Sequence, residues 1–389
     1  MEICCHNASL CTKLEQPNPR LVLPRLMTNP TSPASPTVRT LTDIKALIHR
    51  DSRRVTSYDV ATAAGVSQSA VSRCFKPGAS VSKATYARVM QAALDLDYTP
   101  NLAARSLRSV NARRSNLVAL IVSDLVTLHD PVMLAELSRQ FSLRGMRILL
   151  FSQPGDASLD DTLAEVWQHQ VDGVVVAAHL SGQQAGELER RRLPFVLFNR
   201  TQPDRSVNAI ICDQAGAART MVGRLAAAGH KCFAMIDGPA GSALAQERRR
   251  AIAGRLAELG LAAPLEVEGE YDYASGARGL REIVERLGHV PDAILCGNDA
   301  MAIGCVDTAR HELNIDVPGQ LSVTGFDGIA PALWLSYNLT TLSQPVRQMA
   351  QATADLLVGL VKGAATCAER RVFSANVIEG GTARLGPVF

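Results

Sequence analysis

The sequence predicts a small α-helical head, from Val55 to Tyr98, followed by an α/β body of two doubly wound lobes. In the head the apolar pattern is helical, whereas from Leu117 onward short β-rich runs alternate with amphipathic stretches. Apolar strands separated by helices are typical of βαβ units and parallel sheets. Charge divides the chain at the same place. Residues 53–115 carry ten Lys and Arg against three Asp and Glu, and residues 116–389 carry 24 against 30.

Composition excludes several classes of protein. Hydrophobic residues make up 47% of the 389 residues, which is enough for a packed core. No run of about 18 uncharged apolar residues predicts a transmembrane helix. The first residues lack the pattern of a signal peptide, and the nine cysteines include no CxxC pair. We therefore expect reduced thiols, a cytoplasmic location, and neither a metal nor a cofactor.

The region before the head, residues 1–52, is predicted to be a tail. Residues 1–38 are rich in Pro, Ser, Thr and Asn without an apolar period, which predicts disorder. Residues 41–50 could form one short amphipathic helix. The head domain is then expected at 53–99, a hinge and linker at 100–115, and the body at 116–389.

A helix-turn-helix motif is predicted at residues 56–75. Thr56 or Ser57 can cap a first helix, Gly65 supplies the tight turn, and Ser67 can cap a second helix. A third helix, capped by Ser82, closes a small core with Val60, Ala61, Ala64, Val66, Val71, Val89, Ala93 and Leu96. The second helix presents groups that can read base edges in a major groove: Gln68, Ser69, Ser72 and Arg73. The alternative is an ordinary helical hairpin with a glycine turn.

The segment 98–109 carries a second signature. Pro100 fixes the chain and Asn101 can cap a helix that is too short to be stable alone in water. Leu107 can wedge between base steps in a minor groove, with two cations near the phosphates, Arg105 and Arg108. This pattern predicts a hinge helix that orders against a partner, and a plain linker is the alternative.

Together these segments resemble the LacI/GalR family of bacterial transcription regulators. The match keeps its order and spacing across about 55 residues: Asp59-Val60-Ala61, Ala64-Gly65-Val66-Ser67, Val71-Ser72-Arg73, Val81-Ser82, Thr85, Tyr98, Pro100-Asn101, Ala104-Arg105 and Leu107. The resemblance implies base reading by Gln68, Ser69 and Arg73, and minor-groove insertion by Leu107. It implies phosphate contacts from Ser57, Tyr58, Ser67, Ser72 and Thr85. The predicted DNA-binding set is completed by Asn101, Ala104, Arg105 and Arg108.

In the body, β runs are predicted at 117–123, 147–152, 173–178, 195–198, 208–212, 232–236, 293–296 and 321–326. Helices between them include 131–144, 159–170, 214–228, 246–259, 274–287 and 299–313. No GxGxxG follows a strand and no GxxxxGK[ST] occurs, so dinucleotide and P-loop sites lose their support. The family resemblance continues here and implies the fold of periplasmic sugar-binding proteins. We expect one lobe at about 116–212 plus 344–362, and the other at about 213–342 plus the C-terminal strand.

The resemblance further implies a small-molecule effector site between the lobes, where open α/β sheets bind ligands after their strands. Arg248 matches the family's effector-binding arginine, which can hold a carboxylate or two hydroxyls. Tyr271 takes the place of an aromatic residue that stacks on the ligand ring. Asn298 and Asp327 match polar ligand positions. Further candidates are His129 and Asp130 in the first strand–helix loop, with Arg200, Ser242 and Trp334.

Several of these residues have structural alternatives. Asp299 can cap its helix, which leaves Asn298 to shape the turn, and Asp327 can cap the segment after it. His129 can be a surface histidine, and Trp334 can belong to a core.

These observations predict a homodimeric transcription regulator, a repressor, that binds a pseudo-palindromic operator under control of a sugar or sugar-acid effector. Whether the effector induces or co-represses, and whether dimers pair into tetramers, stays open. The alternative is a stand-alone small-molecule-binding protein of the periplasmic-binding-protein fold, against which the attached head argues. An enzyme would need a nucleophile–base pair or a metal cluster at a strand end, and the sequence suggests neither.

Overall fold

The computed structural model describes residues 40–75, 80–99, 114–123, 130–153, 159–202, 205–364 and 367–387. The chain divides into two compact units at residues 102 and 103, of which the first contains the head and the second is the body. Within the described ranges, no helix is long and apolar enough to cross a membrane.

Four helices form the head: α1 (Leu41–Arg50), α2 (Ser57–Ala64), α3 (Gln68–Cys74) and α4 (Lys83–Asp95). Each begins at a side chain that accepts a backbone N–H of its first turn: Thr40, Thr56, Ser67 and Ser82. Gly65 ends α2 with a φ of 62°, a left-handed conformation that favours glycine. The predicted caps Ser67 and Ser82 are confirmed, and Thr56 rather than Ser57 caps α2.

The head core is the predicted one with an addition. Val60, Val71 and Val89 are fully buried at its centre. Ile44 of α1 is also buried and packs in the same cluster, together with the partly buried Leu41 and Ile48. The short helix predicted within the tail therefore extends the head's packing to residue 41.

The strands of lobe one are β1 (Leu117–Ser123), β2 (Arg147–Gln153), β3 (Gly173–Ala177), β4 (Phe195–Phe198), β5 (Ala209–Cys212) and β11 (Arg370–Phe373). They form a parallel sheet in the order β11-β5-β4-β3-β1-β2. One face is covered by α5 (Asp130–Leu143) and α12 (Val346–Val361), and the other by α6 (Leu159–Gln168) and α7 (Gly182–Arg190).

The strands of lobe two are β6 (Phe233–Asp237), β7 (Leu265–Glu268), β8 (Ala293–Cys296), β9 (Ser322–Asp327), β10 (Thr340–Ser343) and β12 (Asn376–Ile378). Their order in the sheet is β12-β10-β9-β8-β6-β7, and among these described strands only β12 is antiparallel to its neighbour. One face packs on α8 (Gln214–Ala227) and α9 (Ala243–Glu258), and the other on α10 (Tyr273–Leu287) and α11 (Asp299–Asp307). A π-helical turn at Thr308–Glu312 follows α11.

The eight predicted β runs correspond to β1–β6, β8 and β9, with ends that differ by one residue at most. Three further strands lie outside the predicted β runs, β7, β10 and β11, and the C-terminal strand that we expected in lobe two corresponds to β12, which pairs with β10. β11 joins lobe one, although the predicted segments of that lobe end at residue 362. The segment predicted as one helix at 299–313 consists of α11, which ends at Asp307, and the π-helical turn that follows it.

Three connections link the lobes, and they position the site described below. The chain leaves lobe one after β5, between Cys212 and α8. It returns after β10, through Gln344 and Pro345, into α12. It crosses a third time between β11 and β12, which are separated by residues 374 and 375.

Candidate functional site

The exposed face of α3 presents the side chains that were predicted to read bases. Ser69, Ser72 and Arg73 are exposed, while Ala70 and Val71 hold the opposite face in the core. Gln68 is half-buried, and its Nε2 donates to Ser57 Oγ at 3.1 Å. The first residues of α2 and α3 therefore lie together and present amide and hydroxyl groups on one side of the head.

An ion pair fixes the start of α2. Arg53 donates from its two terminal nitrogens to the two oxygens of Asp59, at 2.7 and 2.8 Å, and the same carboxylate accepts from Thr56 N at 2.8 Å. These hydrogen bonds, that of Arg53 foremost, hold the pKa of Asp59 well below its usual range. The helix start that carries Ser57 and the 61% exposed Tyr58 is thereby held rigidly.

The remaining DNA candidates divide into two groups. Thr85 lies in the first turn of α4, and its hydroxyl accepts from Ser82 Oγ at 2.9 Å. The hinge candidates lie outside the described residues: Asn101, Ala104, Arg105, Leu107 and Arg108.

In the body, a cavity of about 110 Å³ lies between the two lobes and is called here the inter-lobe cavity. Lobe one contributes Val122, Ser123, Met133, Ala177, Phe198, Asn199 and Arg200. Lobe two contributes Ser242, Leu244, Arg248, Tyr271, Asn298 and Asp327, and Gln344 comes from the second connection. The structure thus brings six of the nine effector candidates together, in a mixed polar and apolar lining that suits a small polar ligand.

Arg248 is the buried cation of this cavity. It is 6% exposed, its Nε donates to Gln214 Oε1 at 2.9 Å, and Nη1 donates to the Gly297 carbonyl. The guanidinium lies 3.7 Å from the ring centre of Phe326, in a cation–π contact. Among the residues that the structure describes, none of the ion pairs involves Arg248. The guanidinium is therefore held by two hydrogen bonds and a ring, and the carboxylate of the neighbouring Glu247 acts on it only beyond ion-pair distance.

The arginines after Arg248 differ from it. Arg249 pairs with Asp237, which is 2% exposed, through Nε at 2.7 Å, whereas Arg250 is exposed on the helix surface. One face of α9 therefore serves the cavity and another stabilises the sheet edge.

Asp327 and Asn298 line the cavity at the ends of β9 and β8. Asp327 has a φ of 114°, and its Oδ1 accepts from Gln344 Nε2 at 2.7 Å. It does not cap the turn after it, because the N–H groups of Gly328 and Ile329 donate to Asp299 instead. Asn298 caps α11 by accepting from Met301 N at 3.0 Å, and its Nδ2 donates to the Tyr271 carbonyl at 2.8 Å. The capping role that we assigned to Asp299 thus belongs to Asn298.

Asp299 is fully buried and fastens the loop beyond Asp327. Its Oδ2 accepts from Gly328 N at 2.7 Å and from Ile329 N at 2.9 Å, and its Oδ1 accepts from the Thr341 hydroxyl. Burial, reinforced by the negative charge of Asp327, raises the pKa of Asp299 to about 7. A carboxyl group that titrates near neutrality therefore lies directly behind the cavity.

Tyr271 and Ser242 form the far wall in lobe two. The Tyr271 hydroxyl lies 3.0 Å from Ser242 Oγ, and Ser242 also caps α9. A side chain on Gly238 would place its Cβ 2.1 Å from Cζ of Tyr271, so only glycine allows this approach. Arg200 completes the predicted residues of the lining, and its Nη1 donates to the Asn199 carbonyl at 2.9 Å.

Three of the predicted effector-binding residues are not among the described residues that line the cavity. His129 lies outside the described residues, and Asp130 is described only as the first residue of α5. Trp334 is not brought to the cavity and is 60% exposed after a 3₁₀ turn, so it is not a core residue either. Two lining amides were not predicted, Asn199 and Gln344. Their positions directly after β4 and β10 are the signal that could have identified them, because ligands bind at strand ends.

Comparisons with known proteins address both parts of the chain. Residues 56–101 match the family described as bacterial regulatory proteins, lacI family, and residues 222–383 match the periplasmic binding protein-like domain. The HTH-type transcriptional regulator AscG of Escherichia coli (strain K12) is 31% identical over 317 residues, which are 79% of this chain and 92% of AscG. The ribose operon repressor of the same strain is 27% identical over 335 residues, covering 84% and 99% of the two chains.

Solved structures agree with these matches. The lac repressor dimer bound to operator and the anti-inducer ONPF superposes with a TM-score of 0.75 at 26% identity, covering 85% of this chain and 99% of the repressor. The transcriptional regulator CelR in complex with cellobiose superposes with a TM-score of 0.63 at 27% identity, covering 85% and 100%.

Proposed function

Because the chain belongs to the LacI family of bacterial regulatory proteins, we propose that it is a repressor whose operator affinity is set by a sugar or sugar acid bound in the inter-lobe cavity. The ligand class is indicated by Arg248, a buried guanidinium with no carboxylate within ion-pair distance among the described residues. Burying a cation without an ion pair is unfavourable, so a ligand that brings a carboxylate or paired hydroxyls gains strongly there. Asp327 and Asn298 add acceptors and donors for hydroxyl groups.

The head carries the side chains that we propose to contact DNA. Ser69, Ser72 and Arg73 stand exposed on a short helix of the helix-turn-helix motif, as a reading helix requires. Ser57, Tyr58, Ser67 and Thr85 are proposed to contact phosphates, since they lie at helix starts where backbone N–H groups and the helix dipole favour anions. A stand-alone binding protein would have no use for such a head.

We also propose that the protein acts as a homodimer on a pseudo-palindrome, in the bacterial cytoplasm where its DNA partner lies. An exposed apolar group on lobe two, called here the lobe-two patch, supports the dimer: Tyr273, Leu333, Trp334 and Leu335, the last 98% exposed. The phenols of Tyr273 and Tyr337 both donate to Asp307, which brings the start of α10 beside the 330–337 loop. Contiguous exposed apolar side chains mark surfaces that a partner covers. The relatives are regulators, and we propose no enzymatic activity.

Selection of random duplex DNA by the purified protein tests this function. We expect a pseudo-palindrome of about 16–20 base pairs, with affinity that falls steeply as salt rises because phosphate contacts release counterions. The selected duplex then reports which of a panel of sugars and sugar acids changes operator affinity. Failure to enrich any sequence, both with and without that panel, would remove the DNA function.

A further inference from the structure

Five side chains form one continuous hydrogen-bonded path from Arg248 to Asp327, two charged groups of the inter-lobe cavity. Arg248 Nε donates to Gln214 Oε1 at 2.9 Å, and Gln214 Nε2 donates to Asn199 Oδ1 at 3.3 Å. Asn199 Nδ2 donates to Gln344 Oε1 at 2.9 Å, and Gln344 Nε2 donates to Asp327 Oδ1 at 2.7 Å. Every bond has the same direction, from the guanidinium towards the carboxylate.

This direction is fixed by chemistry at three points. An arginine can only donate, so Gln214 must turn its carbonyl oxygen to Arg248, and a carboxylate can only accept, so Gln344 must turn its NH₂ to Asp327. Asn199 Oδ1 also accepts from Cys212 N at 3.2 Å, which sets the orientation of the middle amide. The three amides, called here the amide relay, therefore have one arrangement that satisfies all of them.

The amide relay is buried and lies where the lobes join. Gln214 is 1% exposed, Gln344 7% and Asn199 8%. Gln214 is the first residue of α8, just after the first connection, Gln344 lies in the second connection, and Asn199 directly follows β4 of lobe one. Arg248 and Asp327 both belong to lobe two, so the path leaves lobe two, passes through lobe one and returns by a different connection.

We infer that Gln214, Asn199 and Gln344 are positioning residues that couple occupancy of the cavity to the angle between the lobes. A ligand that binds Arg248 or Asp327 changes the hydrogen bond at one end of the amide relay. Buried networks of hydrogen bonds respond as a unit because their members polarise one another. A change in the angle between the lobes moves the two connections and breaks the hydrogen bonds that Asn199 makes in the middle of the relay. The coupling to ligand occupancy rests on the proposed effector function. The prediction that the three amides behave as one cooperative unit does not rest on it.

The first test asks whether the relay is one unit, and it needs neither DNA nor effector. Unfolding of the body by urea is measured for Gln214→Met, Gln344→Met and the double variant. We expect each single change to raise the unfolding equilibrium constant about tenfold or more, because it leaves buried polar groups unpaired. In the double variant, the increase in the unfolding equilibrium constant should be much smaller than the product of the two single increases, although these two glutamines do not bond each other.

Gln140→Met is the matched control. Gln140 is a buried glutamine of α5 that accepts from Arg144 Nη1 at 2.8 Å and takes no part in the relay. When Gln140→Met is combined with Gln344→Met, the two increases in the unfolding equilibrium constant should multiply, as they do for separate sites. If the Gln214 and Gln344 effects multiply as well, the relay is not a unit and the inference is overturned.

The second test asks whether the relay affects DNA binding. On the selected operator without added compounds, Gln344→Met should change affinity at least fivefold and Gln140→Met should not. Asn199→Asp serves as a second variant, since Asp tolerates the φ of 52° at this position and keeps the acceptor while it removes the donor to Gln344. Folded relay variants with wild-type operator affinity would overturn the coupling. A wild-type protein that selects no DNA would instead refute the proposed function, and the urea cycle would still decide whether the relay is a unit.

Discussion

At the scale of single residues, Arg248 illustrates how a buried charge can be kept for a ligand. Its hydrogen bonds to Gln214 and the Gly297 carbonyl and its contact with Phe326 compensate only part of the desolvation of a guanidinium. A ligand carboxylate or diol can complete that compensation. The same reasoning explains why Arg249, which already pairs with Asp237, is not a comparable ligand group.

Replacement of Arg248 by Ala should weaken binding of the effector that the screen identifies by about 10- to 100-fold, because a hydrogen bond to a charged group contributes about 1.5–3 kcal/mol. Isothermal titration calorimetry measures this affinity. Arg250→Ala is the matched control, since Arg250 lies on the same helix but is exposed. Equal affinities in the two variants would show that Arg248 does not contact the effector.

Asp299 gives stability a pH dependence with a definite sign. An unfolded Asp titrates near pH 3.9, whereas the folded pKa is about 7, so between these values the folded state holds the extra proton. Stability contributed by this group is therefore greatest below about pH 4 and falls as pH rises towards 7, by at most about 1.4 kcal/mol per pH unit.

Asp299→Asn should remove that slope, because an amide can accept from Gly328 N and Ile329 N without ionising. Urea unfolding of the body at pH 5, 6, 7 and 8 measures it as the difference between wild type and variant. Asp161→Asn, at an exposed residue in the first turn of α6, controls for the substitution itself. Identical pH profiles for wild type and Asp299→Asn would mean that the buried carboxyl remains ionised throughout.

At the scale of elements, α3 and the start of α4 are proposed to contact DNA in two different ways. Arg73 is exposed on α3, and its loss should relax preference at one base position by about 1–3 kcal/mol. Thr85 lies at the first turn of α4, and Thr85→Ala should weaken binding equally for all sequences. Repeating the selection with each variant distinguishes them. A Thr85→Ala protein with altered base preference, or an Arg73→Ala protein with none altered, would reverse or remove these roles.

The elements also show what sequence patterns can predict. Strands such as β1 and β3, buried on both faces, appear as continuous apolar runs and were found with nearly correct ends. β7, β11 and β12 are short and partly exposed, with one buried residue among them, so no apolar run marks them. β10 is buried but begins with Thr340 and Thr341, which are satisfied by hydrogen bonds that only the folded chain supplies.

The site shows the same division. Arg248 follows from the family resemblance, and Asp327 and Asn298 follow from that resemblance and from their places at strand ends. Asn199 and Gln344 gain their importance from each other, across 145 positions of sequence, and no local pattern contains that contact. Trp334 was misplaced because an aromatic residue near a strand end is compatible with either a ligand site or a protein contact.

At the scale of the whole molecule, the proposed dimer determines operator affinity. Two linked heads on two half-sites act at an effective concentration in the millimolar range, which increases affinity by about 10²- to 10⁴-fold over one head. The wild-type protein should therefore prefer the full selected operator to a single half-site by about 100-fold or more.

Trp334→Ser combined with Leu335→Ser should turn the dimer into a monomer, because it removes the two most exposed side chains of the lobe-two patch. Analytical ultracentrifugation measures the assembly, and fluorescence anisotropy compares full operator with half-site. The variant should bind both DNAs equally, with affinity near that of wild type for the half-site. Leu259→Ser, at an exposed leucine on the end of α9, is the matched control and should stay dimeric. A double variant that remains a dimer with full operator affinity would place the dimer contact elsewhere on the body, and leave the patch without its proposed partner.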